Sequence, residues 1–143
     1  MKISLLVVAF ILFSTKAFAK DECKPNGYDV CNAARKMVAE YSGSLPMKLS
    51  QNITLEKAFA LKNIVHLTAV LGYDKNHLED VVSNKGGTIE ELNKQIIAST
   101  KAGICQKESA SRAFVSLGGQ IHYFYRFADG MPYLTIPITS CKI

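Results

Sequence analysis

The sequence predicts an α+β domain, in the order α-β-β-α-α-α-β-β, with two β-hairpins forming a four-stranded antiparallel sheet and helices packed on one face. Three observations lead there. Two stretches, residues 53–73 and 120–141, carry alternating apolar and polar side chains around a central turn signal. Before and between them, apolar residues recur at three- and four-residue spacing behind capping residues, as in amphipathic helices. Four cysteines, all beyond residue 19, suit a small domain stapled by disulfides.

Residues 1–19 read as an export signal. Lys2 supplies the positive start, Ile3 to Phe13 is almost wholly apolar, and Ala17-Phe18-Ala19 fits an A-x-A cleavage site. The apolar run is shorter than the roughly 20 residues that span a bilayer. Lys20 is then the expected mature N-terminus, and residues 20–143 form a single domain. Lys20-Asp21-Glu22 precede Cys23, so no lipid-acceptor cysteine stands at the cut, and no stable membrane anchor is expected. Removing Lys2 and Lys16 lowers the formal charge from +5 to +3. That small, scattered excess argues against a nucleic-acid surface.

In an oxidising compartment, Cys23, Cys31, Cys105 and Cys141 read as two disulfides, for which three pairings exist. Closeness in sequence favours Cys23 with Cys31. Cys105 and Cys141 flank a helix-plus-hairpin unit, which favours their pairing. With no CxxC and no histidine near the cysteines, neither a metal site nor a redox motif is expected.

The first helix is expected from a cap at Asp29 to about Ser42, with Val30, Ala34, Met37, Val38 and Tyr41 on one face. Gly43 stops it, and Ser44-Leu45-Pro46 leads out extended. The first hairpin turns at Lys62-Asn63, where asparagine tolerates positive φ, with a helix over 55–61 as the alternative because alanine and glutamate are helix formers. That turn places Leu61 opposite Ile64, Phe59 opposite His66, Lys57 opposite Thr68 and Leu55 opposite Val70. The other side of the hairpin, with Ala58, Ala60, Val65, Leu67, Ala69 and Leu71, is smooth enough for close helix packing. A short helix over 75–83 follows a cap at Asp74. Thr88 and Glu91 form a capping-box pattern that opens a helix ending at Gly103, and residues 107–117 form another. In the last hairpin, Asp129-Gly130 favours a type I′ turn. It pairs Tyr125 with Leu134, Tyr123 with Ile136 and Ile121 with Ile138 on the core side. Pro137 cannot donate to a ladder, so the final strand lies at an edge or bulges there.

These two registers put Phe59, His66, His122, Phe124, Arg126, Met131 and Tyr133 on the sheet face away from the helices. Aromatics beside an arginine are the composition of a protein-binding patch. The competing reading is that another part of the chain, or a second copy, covers this face. Catalytic signals are weak. His66 and His122 could serve as a base pair only with a converging carboxylate, and no GxSxG, phosphate loop or paired-carboxylate pattern stands beside them. No catalytic residue and no cofactor is assigned.

The C-terminal half resembles a known group. Cys105, a short helix, Leu117-Gly118, the Ile121–Gly130 run IHYFYRFADG and a last strand ending at Cys141 resemble small exported proteobacterial proteins. Some of these are described as quorum-sensing-regulated virulence-factor-like, and the layout is similar to the disulfide-bonded pilotins of type II secretion. The likeness spans residues 45–143, including an upstream hairpin after Leu45-Pro46. It implies a helix-backed antiparallel sheet, a Cys105–Cys141 bond and action by binding rather than catalysis. Pilotins hold a short helix of the outer-membrane secretin in a groove and are lipidated. The missing lipid-acceptor cysteine and the additional Cys23–Cys31 pair depart from that pattern.

The sequence therefore points to a non-enzymatic periplasmic or secreted accessory protein that binds another exported or envelope protein. An inhibitor or immunity protein against an exported enzyme uses the same scaffold, and a small hydrolase is the third reading.

Overall fold

The computed structural model describes residues 22–142, so the expected signal segment and the expected cut before Lys20 lie outside the described residues. The chain order is α1 (Val30–Ser42), β1 (Met47–Ser50), β2 (Ile53–Leu61), β3 (Ile64–Leu71), α2 (Lys75–Asn84), α3 (Ile89–Ile104), α4 (Ala110–Ser116), β4 (Gln120–Arg126) and β5 (Pro132–Ile138). The class is the expected α+β, but the sheet has five strands rather than four. β1, which follows the expected extended lead-out at Ser44-Leu45-Pro46, pairs antiparallel with β2.

Helix starts follow the caps. Asp29, Asp74 and Ser109 side chains each accept a backbone N–H of the first turn. Thr88 and Glu91 form the full reciprocal capping box. Both expected disulfides are present, Cys23–Cys31 and Cys105–Cys141. The first ties the entering segment to the start of α1, and the second ties the end of α3 to the chain after β5.

The sheet order is β1-β2-β3-β4-β5, and its central pair, β3 and β4, is parallel. An all-antiparallel sheet is therefore corrected. The cause is the crossover: α2, α3 and α4 carry the chain from the end of β3 back to its start before β4 begins. A connection of that length suits a parallel neighbour, which a tight turn cannot make. At the return point, Gln120 N donates to Asn63 O and the Asn63 amide donates to Gly118 O, each at 2.9 Å. Asn63 is thus spent on the junction, and Lys62 takes the positive φ, 53°, of the β2–β3 turn.

The β2–β3 register holds as expected from Leu61 to Lys57, then shifts. Leu55 pairs with Ala69 rather than Val70, because Glu56 is an extra residue in a β-bulge. The bulge changes parity, so Leu55 leaves the face of Phe59 and is buried. The core then runs through Leu55, Val65, Leu67, Ala69, Leu71, Ile121, Tyr125, Ile136 and Ile138 on the sheet, under Val30 and Ala34 of α1, Leu78 of α2, Ile104 of α3 and Phe114 and Val115 of α4. α1 lies over β2 and β3, where Ala58, Ala60 and Ala69 leave room for close approach.

In the last hairpin the pairs Tyr125–Leu134, Tyr123–Ile136 and Ile121–Ile138 form as expected, and Pro137 lies on an edge strand. The turn itself differs. Phe127 N bonds Met131 O and Gly130 N bonds Phe127 O, enclosing three residues with Gly130 at φ 87°. A three-residue loop with glycine in the left-handed region carries a bulge. Here the added residue is Tyr133, because Arg126 pairs with Pro132 while Tyr125 pairs with Leu134.

Two glycines test the packing. A Cβ at Gly119 would come within 2.3 Å of the buried Phe114 ring, whereas one at Gly103, in α3, meets nothing within 4 Å. Urea unfolding of G119A should show a loss of about 2–3 kcal/mol from forced overpacking. G103A should gain about 0.5 kcal/mol from helix propensity and the stiffer unfolded chain. The staples should differ as well. Serine at both Cys105 and Cys141 is expected to cost about 4 kcal/mol, and at both Cys23 and Cys31 about 2.5 kcal/mol, by loop-closure entropy. The order follows sequence separations of 36 and 8, and equal losses in paired denaturation curves would contradict it.

Candidate functional site: the open sheet face

The face of the sheet away from the helices carries a cluster of rings. Phe59 on β2 is the register partner of His66 on β3, and His66 is the register partner of His122 on β4. Alternation along each strand sends all three side chains to the same side. The Phe59 and His66 rings stack at 4.5 Å with 9° between their planes. Phe124 stacks on the other side of His66 at 5.6 Å, and His122 meets His66 edge-on at 5.4 Å. His66 is therefore held between two phenyl rings at the middle of the face.

Arg126 completes one end of the cluster. Its Nη2 donates to Glu56 Oε2 at 2.7 Å, with both side chains about one-third exposed. Glu56 reaches the arginine from the bulge of β2. Leu61, 58% exposed, extends the apolar surface at the other end, and Phe59 is 51% exposed.

Five of the seven expected face residues are thus together: Phe59, His66, His122, Phe124 and Arg126. Met131 and Tyr133 are corrected. Tyr133 packs its ring against Phe127 at 4.9 Å and donates its hydroxyl to Asn93 of α3. Met131 lines a cleft with Leu78 and Ile89 on the helix side. The physical reason is the three-residue turn, which puts the extra residue at Tyr133 and reverses the alternation before Leu134. Leu61, Glu56 and Gln120 belong to the face and were missed. The alternation that placed Phe59 would have placed Leu61, whereas Glu56 depends on a bulge that no local motif marks.

The electrostatics favour a neutral face. Burial lowers the His66 pKa, and positive charge on His122 lowers it further. Burial also lowers that of His122. His122 Nε2 pairs with Gln120 Oε1 at 3.2 Å, and neither ring nitrogen of His66 has a hydrogen-bond partner. Among the described residues, neither of these imidazoles bonds a carboxylate. The pair therefore lacks the acid that orients and charges a histidine base. What the arrangement offers is an aromatic, uncharged platform with an ion pair at one end.

The chain matches no family model, and no curated sequence is similar to it. Its fold, however, is similar to solved structures. The type II secretion pilotin EpsS of Vibrio vulnificus superposes with a TM-score of 0.62 at 15% identity, over 80% of this chain and 93% of that one. The type II secretion pilotin AspS of Vibrio cholerae gives 0.57 at 18% identity, over 77% and 88%. A candidate secreted protein of Pseudomonas aeruginosa gives 0.57 at 17%, over 79% and 93%. At these identities the likeness is one of fold: the chain has the architecture of the pilotins.

His66 and His122 make stability pH-dependent. Both folded-state pKa values lie below the unfolded value of about 6.5, so the unfolded chain binds more protons in that window. Their contribution is fully present above about pH 6.5 and is lost as the pH falls through the folded-state values. His66→Phe keeps a ring in the stack and removes one titration. Urea midpoints measured from neutral to mildly acidic pH should fall less steeply in H66F than in the wild type, and identical slopes would contradict the assignment.

Proposed function

We propose that this chain is a non-enzymatic exported accessory protein that holds an apolar segment of an envelope protein on its open sheet face. The partner class best supported is the secretin of a type II secretion system. The observation that carries this is the Phe59–His66–Phe124 stack with Leu61 beside it, with Phe59 and Leu61 more than half exposed among the described residues. Contiguous apolar surface of this kind on a soluble domain marks an interaction site.

Two further features support the reading. The pilotin-like fold fits a protein that chaperones or positions a secretin, as the sequence resemblance implies. The paired disulfides fit an oxidising compartment, which suits a periplasmic or secreted location. A hydrolase needs a carboxylate on the histidines, and His122 pairs with Gln120 instead.

The test is direct binding to the purified type II secretin encoded in the same genome, or to its short apolar helical segments as peptides. The chain has no tryptophan, so F124W provides a single indole reporter at the centre of the face. The indole signal should shift on titration, and Phe59→Ser with Phe124→Ser should weaken binding at least tenfold, about 1.4 kcal/mol. A secretin segment bound equally well by that folded double variant would overturn the face assignment. A wild-type dimer in sedimentation that becomes a monomer in the double variant would show that a second copy, not a secretin, occupies it.

A further inference from the structure

At the far end of α3 a second surface has a different chemistry. α3, α4 and the chain after β5 meet around a cleft of about 480 Å³. Its floor is apolar, made by Ala98, Ala102 and the Cys105–Cys141 bridge, and Lys101, Lys107, Arg112 and Lys142 surround it. An adjoining cleft of about 770 Å³ shares Arg112, Cys141 and Lys142. Among the described residues no aspartate or glutamate lines either one. Glu108, beside Lys107 in the chain, is exposed outside the lining. Among the described residues none of the four cations forms an ion pair. Arg112 is fixed in place, because its Nη1 donates to Cys105 O at 3.1 Å.

The opposite end of α3 lacks such an excess, since Glu90 pairs with Lys94 and Glu79 pairs with Lys75. Glu90 and Glu91 stand in the first turn of α3, and α2, which packs against α3, carries Glu79 and Asp80. Sixteen residues of helix put roughly 24 Å between the two ends of α3. A cluster of unpaired cations with no carboxylate facing it among the described residues is attracted to a plane of negative charge.

We infer that this basic, apolar-floored cleft docks the chain reversibly onto an anionic phospholipid surface. A peptide carboxylate needs one or two of these cations and makes no use of the floor. A phospholipid uses both, its phosphate at the lysine and arginine rim and its glycerol and upper acyl region on the alanines and the disulfide. The exposed lysines extend their apolar stems along such a surface while their ammonium groups remain at the headgroups. This site is independent of the open sheet face, so either assignment can fail alone.

Flotation of the full mature chain with phosphatidylcholine vesicles, with and without phosphatidylglycerol, tests it. The wild type should float with the anionic vesicles, stay behind with the neutral ones, and be released by added salt. K107E with K142E should weaken partitioning by at least about tenfold, as expected for removing attractive charges near the surface. K48E with K85E makes the same change in net charge on the opposite edge of the sheet and at the other end of α3, and should bind almost as the wild type does. The milder K107Q with K142Q pair should give a graded loss, which guards against a folding defect in the reversal. No flotation of the wild type would overturn the proposal, as would equal loss in the two reversal pairs, which would mean net charge alone. Binding of a polyglutamate peptide through Lys107 and Lys142 without vesicle binding would assign the cleft to an acidic protein instead.

Discussion

Where the crossover returns to the start of β3, Asn63 accepts Gln120 N–H through its backbone and donates its side-chain amide to Gly118. The remaining geometry depends on this junction. Gly118, at φ 101°, lies so near Pro25 that a Cβ would come within 2.5 Å of that ring, and Gly119 lies against Phe114. The segment held by Cys23–Cys31 and the end of α4 therefore seat on the same two glycines. Once Gln120 is fixed opposite Ile64, the parallel ladder places His66 beside His122 and Thr68 beside Phe124. A slip of one residue would exchange the two faces of β4 and move Ile121 and Tyr125 out of the core. The aromatic cluster is thus a consequence of where the helical crossover ends.

What could be read in the sequence was local. Caps at Asp29, Asp74 and Thr88, the Lys62-Asn63 turn and the alternation of β3, β4 and β5 are short-range signals, and the structure contains each of them. The two pairings of cysteines were also within reach, since each bridge closes a unit already visible as a helix entry or a helix-plus-hairpin. The parallel β3–β4 contact was not legible, because it joins strands separated by three helices and leaves no mark on either strand alone. β1 was missed because four residues with one partly buried side chain carry little alternation. The bulges at Glu56 and Tyr133 are the instructive failures. Each inserts one residue, and one residue is enough to send a side chain through the sheet to the other face. So Leu55 joined the core, and Tyr133 joined α3 rather than the platform.

The state of His66 shows how the face is maintained. An imidazole whose two nitrogens lack partners is costly to bury, and more so when charged. Stacking between Phe59 and Phe124 offsets part of that cost by ring contact. The result is a polar residue type used as a neutral aromatic one near and above neutral pH. Acidification works against the stack from two directions, through the desolvation of His66 and through repulsion from His122. A phenylalanine at this position would give a more stable and less acid-sensitive platform, so the present choice ties the integrity of the face to pH.

The energetics of the platform also limit what it can hold. Fully burying a phenylalanine or leucine contributes ~1.5–3 kcal/mol. Phe59 and Leu61 each retain about half of their exposure, so covering them adds on the order of 1 kcal/mol apiece. His122 and Phe124 are already half-buried by their neighbours and add less. Such a sum falls short of the roughly 4–15 kcal/mol of freedom lost on association. On the proposed reading, apolar contact on this face would therefore position a partner without holding it tightly. Selectivity then falls to the Glu56–Arg126 pair at its end, where a partner must either match the ion pair or leave it solvated. A short apolar segment that approaches with a polar group toward Arg126 satisfies both conditions. A wholly apolar one would desolvate the ion pair without replacing its water and would be disfavoured.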